Sequence, residues 1–166
     1  ETVSHVALKK LNGKNSPFCA IGSTNFDRSD KNQLVINAPD LGIAKLVTND
    51  IVKIVDPQSF YWIGRSDFTI NSGGIKIQPE EIEKKLSSFL PNGKFIIAGE
   101  TDDRLGQRVI FIGERSLEPI IDKNQLSLIL DRYEIPKAYF YVTELAKTRS
   151  GKIDRLETLR MINGSK

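Results

Sequence analysis

The stretch GRSDFTINSGGIKIQPEEIE, residues 64–83, marks the point where the pattern of the sequence changes. Within it, two short apolar runs flank Asn71-Ser72-Gly73-Gly74, and this spacing predicts a β-hairpin with a glycine turn. Pro79 follows at a position suited to the first turn of a helix, and Glu80-Glu81 favours the positive end of that helix. The stretch therefore predicts a strand, a turn, a second strand and a helix.

The residues after this stretch alternate between strand and helix patterns. Ile82, Leu86, Phe89 and Leu90 share one helical face, which extends the first helix from residue 79 to about residue 90. The remaining predictions are strands over 95–99, 109–112 and 138–142, and helices over 123–132 and 154–162. A mixed domain of strands and helices is expected.

The residues before position 64 have a β pattern. Short apolar or alternating runs separated by turn clusters predict strands over 3–9, 18–21, 33–38, 51–55 and 60–63. Residues 46–50, Leu-Val-Thr-Asn-Asp, are interpreted as a polar turn between strands. We therefore predict an α+β fold, with a small β-rich piece over 1–66 and an α+β domain over 67–166.

Composition and charge exclude several classes of function. The 166 residues carry 24 basic and 21 acidic side chains, and no block of like charges indicates nucleic-acid binding. No apolar run approaches the roughly 20 residues that a membrane span requires, and the start has no signal pattern. The single cysteine, Cys19, cannot form an internal disulfide; we expect it to fill the core of a protein in the reducing cytoplasm.

The segment KTRSGKIDR, residues 147–155, is the first candidate for chemistry, because it places a Gly-Lys pair between a predicted strand and a predicted helix. A Walker phosphate loop does not fit. It requires glycine five positions before Gly151, where Ala146 stands, and Ser or Thr after the lysine, where Ile153 stands. Taken alone, the segment is most simply interpreted as a glycine turn with a solvated lysine.

Four motifs in one order resemble those of the adenylate-forming superfamily of acyl-CoA synthetases, luciferases and peptide-synthetase adenylation domains. They are the acidic Asp50, Gly-Arg-x-Asp at 64–67, the Gly73-Gly74 hairpin followed by Pro-x-Glu-Ile-Glu at 79–83, and Thr-x-Ser-Gly-Lys-x-x-Arg at 148–155. Thr48-Asn49-Asp50 departs from the family's frequent Thr-Gly-Asp, so the local backbone is expected to differ. The resemblance implies that 1–66 ends the large N-terminal domain of such an enzyme and that 67–166 is its small mobile C-terminal domain.

The resemblance also implies roles for individual residues. Lys152 would be the catalytic lysine, which places a cation between the substrate carboxylate and the α-phosphate as the acyl-adenylate forms. Asp50 and Arg65 would bind the ribose hydroxyls. The other implied cofactor-binding positions are Gly73, Gly74, Thr148, Ser150 and Gly151. Glu1 would be the Mg2+-linked glutamate, so ATP, Mg2+ and CoA are the expected cofactors.

The superfamily performs two half-reactions and rotates the small domain between them. The resemblance makes Asp67 the hinge, and it implies that the Gly73-Gly74 hairpin moves in beside the pantetheine arm of CoA. Residues 1–12 resemble the corresponding segment of the o-succinylbenzoate-CoA ligases of menaquinone biosynthesis, which makes Ser4 and His5 candidates for binding the acid. For His5, a partly exposed strand residue is the competing interpretation.

Three functions remain open from the sequence. They are an acid-CoA ligase, an adenylation domain that loads a carrier protein, and a non-catalytic binding module. The absence of a carrier-type segment after Lys152 favours the CoA ligase, whose partners would be a small carboxylic acid, ATP and CoA. Because the family's phosphate-binding loop is expected upstream of Glu1, we expect this chain alone to be inactive.

Overall fold

The computed structural model describes residues 4–10, 16–118 and 123–164, without the side chains of Lys123, Asn124 and Asn163. It divides into two compact units, Glu1–Asp67 and Phe68–Lys166. The first unit is built from strands, and the second combines strands with helices. The α+β fold class is therefore confirmed.

The first unit contains one antiparallel sheet. Its strands are β1 (Ala7–Lys9), β2 (Phe18–Ala20), β3 (Asn25–Arg28), β4 (Gln33–Ala38), β5 (Ile43–Asp56) and β6 (Ser59–Arg65). They lie in the order β1-β2-β6-β5-β4-β3. The core of this unit consists of Phe26, Leu34, Ile36, Ala38, Val52 and Phe60. The ring of Phe18 stacks on that of Phe60 with the centroids 5.3 Å apart, and the ring of Phe26 lies at 77° to that of Phe60 with the centroids 4.8 Å apart.

Strand β5 corrects one prediction, because residues 46–50 lie inside it and do not form a turn. Pairing continues through this segment, with Leu46 and Val47 opposite β4 and Asp50 opposite Arg65 of β6. The polar residues of this segment, which suggested a turn, are accommodated within the strand. Thr48 is buried, and its hydroxyl accepts a hydrogen bond of 3.1 Å from the backbone N–H of Asp50. A satisfied polar side chain is compatible with the inner face of a sheet.

Cys19 corrects a second prediction, since it is exposed and not part of the core. It lies in β2, where its neighbours Phe18 and Ala20 pack against the core of the first unit. Successive side chains of a strand point to opposite faces, so the inward direction of these neighbours turns the thiol outward.

The second unit has a mixed sheet with helices on both faces. Its elements are β7 (Ile70–Ser72), β8 (Ile75–Ile77), α1 (Pro79–Leu86), β9 (Phe95–Asp102), β10 (Gly106–Glu114), α2 (Lys123–Ile129), β11 (Ala138–Val142) and α3 (Arg155–Asn163). Strand β10 is antiparallel to β9 and β7 and parallel to β11. None of the helices in the described part of the chain has the length and apolar character needed to cross a bilayer.

The two faces of this sheet bury alternate residues of β9 and β10. Phe95, Ile97 and Phe111 belong to one core, to which α1 contributes Ile82 and Leu86, and α2 contributes Leu126. Ile96, Ala98, Ile110 and Ile112 belong to a second core, to which α3 contributes Ile162. Burial on both faces explains why these strands are nearly continuous apolar runs in the sequence.

Helix α1 is shorter than predicted. It ends at Leu86, although a hydrogen bond from Leu90 N–H to the Leu86 carbonyl continues the turn. Leu90 is therefore buried as expected, whereas Phe89 is exposed. Helix α2 likewise ends at Ile129 rather than residue 132, and Asp154 caps α3 from just outside the helix.

Candidate functional site

Lys152 lies on a tight turn between β11 and α3. Lys147 and Ile153 form an antiparallel bridge at the base of this turn, and Thr148 N–H donates to the Lys152 carbonyl at 2.7 Å. At the tip, Gly151 N–H donates to the Thr148 carbonyl at 2.9 Å. Gly151 has φ +79°, a left-handed conformation that costs glycine no steric strain. We call residues 147–153 the lysine turn.

The side chains of the lysine turn reinforce its backbone. Thr148 Oγ1 accepts from Lys152 N–H at 3.2 Å and lies 3.0 Å from Ser150 Oγ. Lys152 is exposed, and no ion pair to it occurs among the residues that the structure describes. Lys147, by contrast, forms an ion pair with Glu144, and the hydrogen bond to this carboxylate raises the pKa of Lys147. Within the described part of the chain, the turn therefore presents the ammonium group of Lys152 without a carboxylate partner.

A hydrogen-bonded network holds the base of the lysine turn. Asp154 N–H donates to the Ala146 carbonyl at 2.8 Å, and Ala146 N–H donates to Thr158 Oγ1 at 3.2 Å. The Thr158 hydroxyl donates in turn to the Asp154 carbonyl at 2.8 Å. Thr158 is fully buried. Sequence reasoning gave Thr158 no role, because a threonine inside a helix has no pattern that indicates this contact.

A cavity of about 480 Å³ in the first unit brings together four predicted residues: Ser4, His5, Asp50 and Arg65. The structure thus places the proposed ribose-binding pair and the proposed acid-binding pair in one pocket. Ser4 and His5 precede β1, which begins at Ala7 and not at residue 3 as predicted, and both are exposed. The remaining lining residues include the apolar side chains of Phe18, Leu34, Ile36 and Phe60.

Asp50 and Arg65 are register partners in β5 and β6. Arg65 Nη1 lies 3.9 Å from Asp50 Oδ1, and Trp62 Nε1 donates to the same oxygen at 3.0 Å. The second terminal nitrogen of Arg65, Nη2, donates to Asp67 Oδ2 at 2.8 Å. Asp67, the proposed hinge residue, thus accepts a hydrogen bond from Arg65, a proposed nucleotide-binding residue. Trp62 was not predicted, because its contact with Asp50 depends on the strand register.

The predicted glycine hairpin is present as β7 and β8. Gly73 has φ +60° and Gly74 has φ +85°, as a two-residue type I′ turn requires. Gly73 N–H also donates to the Leu105 carbonyl at 2.8 Å, which ties the hairpin to the β9–β10 connection. The hairpin itself is confirmed, while its role toward CoA stays a prediction.

The structure does not describe a metal site. Glu1, the predicted Mg2+-linked residue, lies outside the described residues. Within residues 4–10, 16–118 and 123–164, no group of three His, Cys, Asp or Glu side chains is arranged to hold a metal ion. The prediction of Mg2+ therefore depends on the sequence resemblance.

Comparison with known proteins identifies relatives among acyl-CoA ligases. No family model matches the chain. Medium-chain acyl-CoA ligase Mig of Mycobacterium avium is 34% identical over 107 residues, which cover 61% of this chain and 20% of the relative. 2-Succinylbenzoate-CoA ligase of Listeria monocytogenes is 37% identical over 108 residues, which cover 61% of this chain and 22% of the relative. The matched region is about a fifth of each relative's length.

Solved structures give the same result at the level of fold. An acyl-CoA synthetase (AMP-forming)/AMP-acid ligase II-like protein from Dyadobacter fermentans has a TM-score of 0.55 and 30% identity, covering 97% of this chain and 48% of that one. ATP-bound MatB from Rhodopseudomonas palustris has a TM-score of 0.69 at 18% identity, covering 87% of this chain and 35% of that one. Because the identity to MatB is only 18%, this comparison shows a similar fold and nothing more.

In its fold, and in the order of its motifs, the chain is similar to AMP-forming, adenylate-forming ligases. The relatives that its sequence matches are acyl-CoA ligases, and its motifs resemble those expected for the C-terminal part of such an enzyme.

Proposed function

We propose that this chain is the C-terminal part of an ATP-dependent acid-CoA ligase. The reaction has two steps: a carboxylate and ATP form an acyl-adenylate and pyrophosphate, and the thiol of CoA then displaces AMP to form a thioester. The observation that carries the proposal is the exposed Lys152, held without an ion pair among the described residues on a hydrogen-bonded turn. A preorganised cation of this kind stabilises charge that develops in a transition state.

In the first step, a carboxylate oxygen attacks the α-phosphorus and pyrophosphate leaves. Two anionic groups must approach each other, and the Lys152 ammonium neutralises their repulsion. Asp50 accepts hydrogen bonds from the ribose hydroxyls while Arg65 offers donors to the same sugar, since both side chains line one cavity. Mg2+ bound to the phosphates would supply further charge neutralisation, with Glu1 as its proposed ligand.

In the second step, the thiol attacks the acyl carbon and AMP leaves. The lysine turn has to withdraw before the thiol can enter, and we propose that the backbone at Asp67 provides the rotation. Asp67 lies at the end of the first unit, next to the division between the two units. The Gly73-Gly74 hairpin then provides a backbone surface without Cβ atoms for the pantetheine arm.

For the acid, we propose o-succinylbenzoate, which makes the enzyme a ligase of menaquinone biosynthesis. The 37% identity to the Listeria 2-succinylbenzoate-CoA ligase supports this proposal. The cavity that Ser4 and His5 line also suits a keto acid with an aromatic ring, because polar groups at its rim accompany the aromatic side chains of Phe18 and Phe60. Because the name of the Mycobacterium relative specifies a medium-chain acyl group, a medium-chain fatty acid is the comparison substrate.

The substrate assignment is tested with the complete ligase that contains this chain. A panel of aromatic and aliphatic acids is supplied with ATP and CoA, and AMP and acyl-CoA are measured separately. We expect the highest kcat/KM for o-succinylbenzoate and equal amounts of both products. A higher value for a medium-chain fatty acid contradicts the assignment of the acid, and AMP release without acyl-CoA contradicts the assignment of the acceptor.

The role of Lys152 is tested by Lys152→Ala in the same enzyme. Loss of one preorganised electrostatic contact costs on the order of 3 kcal/mol, so adenylation should fall by about 100-fold or more. Thioesterification of preformed adenylate should stay within about threefold, because the lysine has by then left the site. Lys147→Ala is the matched control, since Lys147 lies on the same turn with its charge paired to Glu144. Equal losses in both half-reactions would refute the role of Lys152.

A further inference from the structure

Glu83 and Arg155 form a partly buried ion pair between α1 and α3. Arg155 Nη2 donates to Glu83 Oε2 at 2.5 Å, and the two side chains are only 14% and 19% exposed. Both residues belong to motifs that were recognised in the sequence, but neither motif assigned them a task. Charged groups at this depth require partners, because an unpaired buried charge costs several kcal/mol.

Both members of the pair also bind the backbone of Ile97. Glu83 Oε1 accepts from Ile97 N–H at 2.7 Å, and Arg155 Nη1 donates to the Ile97 carbonyl at 2.9 Å. Ile97 is fully buried in β9, so it provides a rigid anchor. The Arg155 guanidinium also lies over the ring of Phe68, 5.3 Å from its centroid.

Arg155 is the first residue of α3, and only Asp154 separates it from the lysine turn. The hydrogen bonds of Ala146, Asp154 and Thr158 lie within residues 146–158, and they give this segment its shape. Apolar contacts of Leu145 and Ile162 hold it on the sheet but have no directional preference. The two directed bonds of Arg155 fix the orientation of the segment relative to α1 and β9.

We propose that Arg155 and Glu83 are positioning residues for Lys152: their contacts with Ile97 set the direction in which the lysine turn points. They do not touch the reacting groups themselves. The expected effect on catalysis rests on the proposed function. The expected effect on the direction of the lysine turn does not, because it concerns this chain alone.

The catalytic arm of the test uses Arg155→Lys and Glu83→Gln in the complete ligase. Lysine keeps the charge but cannot reach Glu83 and the Ile97 carbonyl together, and glutamine keeps an acceptor for Ile97 N–H while losing the charge. Displacement of a reacting group by about 1 Å can cost about 100-fold, so adenylation kcat should fall about tenfold to 100-fold with the KM for ATP unchanged. Thioesterification of preformed adenylate should stay within about threefold of wild type.

Arg160→Lys is the matched control, because Arg160 pairs with Glu157 on the same helix at 75% and 51% exposure. It should leave both half-reactions unchanged. The double variant Glu83→Gln/Arg155→Lys should be no slower than the slower single variant, since the two residues act as one unit. Equal losses in both half-reactions, or multiplied losses in the double variant, overturn the proposal.

A second arm does not depend on catalysis. In the 166-residue chain, 15N relaxation of the Gly151 and Lys152 amides reports the order of the lysine turn. We expect the order parameter to fall from about 0.85 toward 0.6 in Arg155→Lys and to stay unchanged in Arg160→Lys. If the ligase makes no adenylate from any acid but the amides of Arg155→Lys become mobile, the proposed function fails and the positioning stands. Amides as ordered as in wild type overturn the positioning.

Discussion

Gly73 and Gly74 share a left-handed conformation but differ in their surroundings. A Cβ atom on Gly73 would lie 3.3 Å from Leu105 Cδ2, whereas a Cβ atom on Gly74 would have no atom of the described structure within 4 Å. A substitution at Gly73 therefore combines backbone strain with crowding. A substitution at Gly74 adds backbone strain and a side chain at the tip of the hairpin, but no crowding.

Gly74→Ala should cost about 1–2 kcal/mol in folding stability, because its φ of +85° is unfavourable for a residue with a Cβ atom. Gly74→Asn should cost less, since asparagine tolerates the left-handed region. If the hairpin lies against pantetheine, both variants should slow thioesterification about tenfold or more and leave adenylation unchanged. Stopped-flow assays of the two half-reactions, with thermal unfolding in parallel, separate these effects. Normal thioesterification in Gly74→Asn would contradict the proposed contact.

The residues of the candidate site were proposed from sequence motifs, but the contacts that they make in the structure could not be predicted. The motif at 64–67 identifies Arg65, yet its contacts with Asp50 and Asp67 depend on strand register and local turn geometry. The register of β5 and β6 shifts between Ile51 and Val52. Such an irregularity leaves no periodic signal in one sequence. For the same reason the contact between Trp62 and Asp50 could not be predicted.

The β9–β10 hairpin depends on a carboxylate in its turn. Asp102 Oδ1 accepts from Leu105 N–H at 2.9 Å and from Arg104 N–H at 3.0 Å. These two backbone hydrogen bonds lower the pKa of Asp102, because they favour its charged form. The carboxylate therefore contributes stability above the unfolded-state pKa of about 3.9, and this contribution is lost as the pH falls through the lower folded-state pKa.

Asp102→Ala should lower the melting temperature at pH 7, and the difference from wild type should shrink as the pH falls below about 3.9. Differential scanning calorimetry from pH 7 to pH 2.5 measures this difference. Asp103→Ala is the control, because Asp103 is the exposed neighbour in the same turn and should show no such trend. A difference for Asp102→Ala that does not vary with pH would contradict the role of the charge.

Elements with strong local signals were predicted well. The Gly73-Gly74 turn, the start of α1 at Pro79 and strand β11 were correct, because each has turn residues, a helix-start signal or an apolar run of its own. Strand β3 and the first part of β5 were missed, since Asn25–Arg28 and residues 46–50 are mostly polar. Their strand conformation depends on pairing with β4 and β6, which a local pattern does not contain.

Each unit of the molecule has its own core. Phe60 lies in the core of the first unit, and Phe111 lies fully buried in the second, stacked on Phe95 at 5.5 Å. Two spectroscopic signals also separate the units. The single tryptophan of the sequence, Trp62, belongs to the first unit, while the α-helices of the described structure belong to the second.

Phe111→Ala should lower the unfolding free energy of the second unit by about 3–5 kcal/mol, because it removes a large side chain that is 0% exposed. In urea unfolding, circular dichroism of the helices should shift to lower urea, while Trp62 fluorescence should keep its midpoint. Leu128→Ala is the control, because Leu128 is 85% exposed. It should change the unfolding free energy obtained from either signal by no more than about 0.5 kcal/mol. Parallel shifts of both signals in Phe111→Ala would show that the two cores unfold together.

Cys19 gives the molecule a natural attachment point, because the only thiol of the sequence is exposed on a strand of the first unit. A maleimide dye should attach there once per chain, with no native cysteine to remove. With a second dye on an introduced cysteine of the second unit, the proposed rotation about Asp67 should change the efficiency of energy transfer between the dyes, observable one molecule at a time.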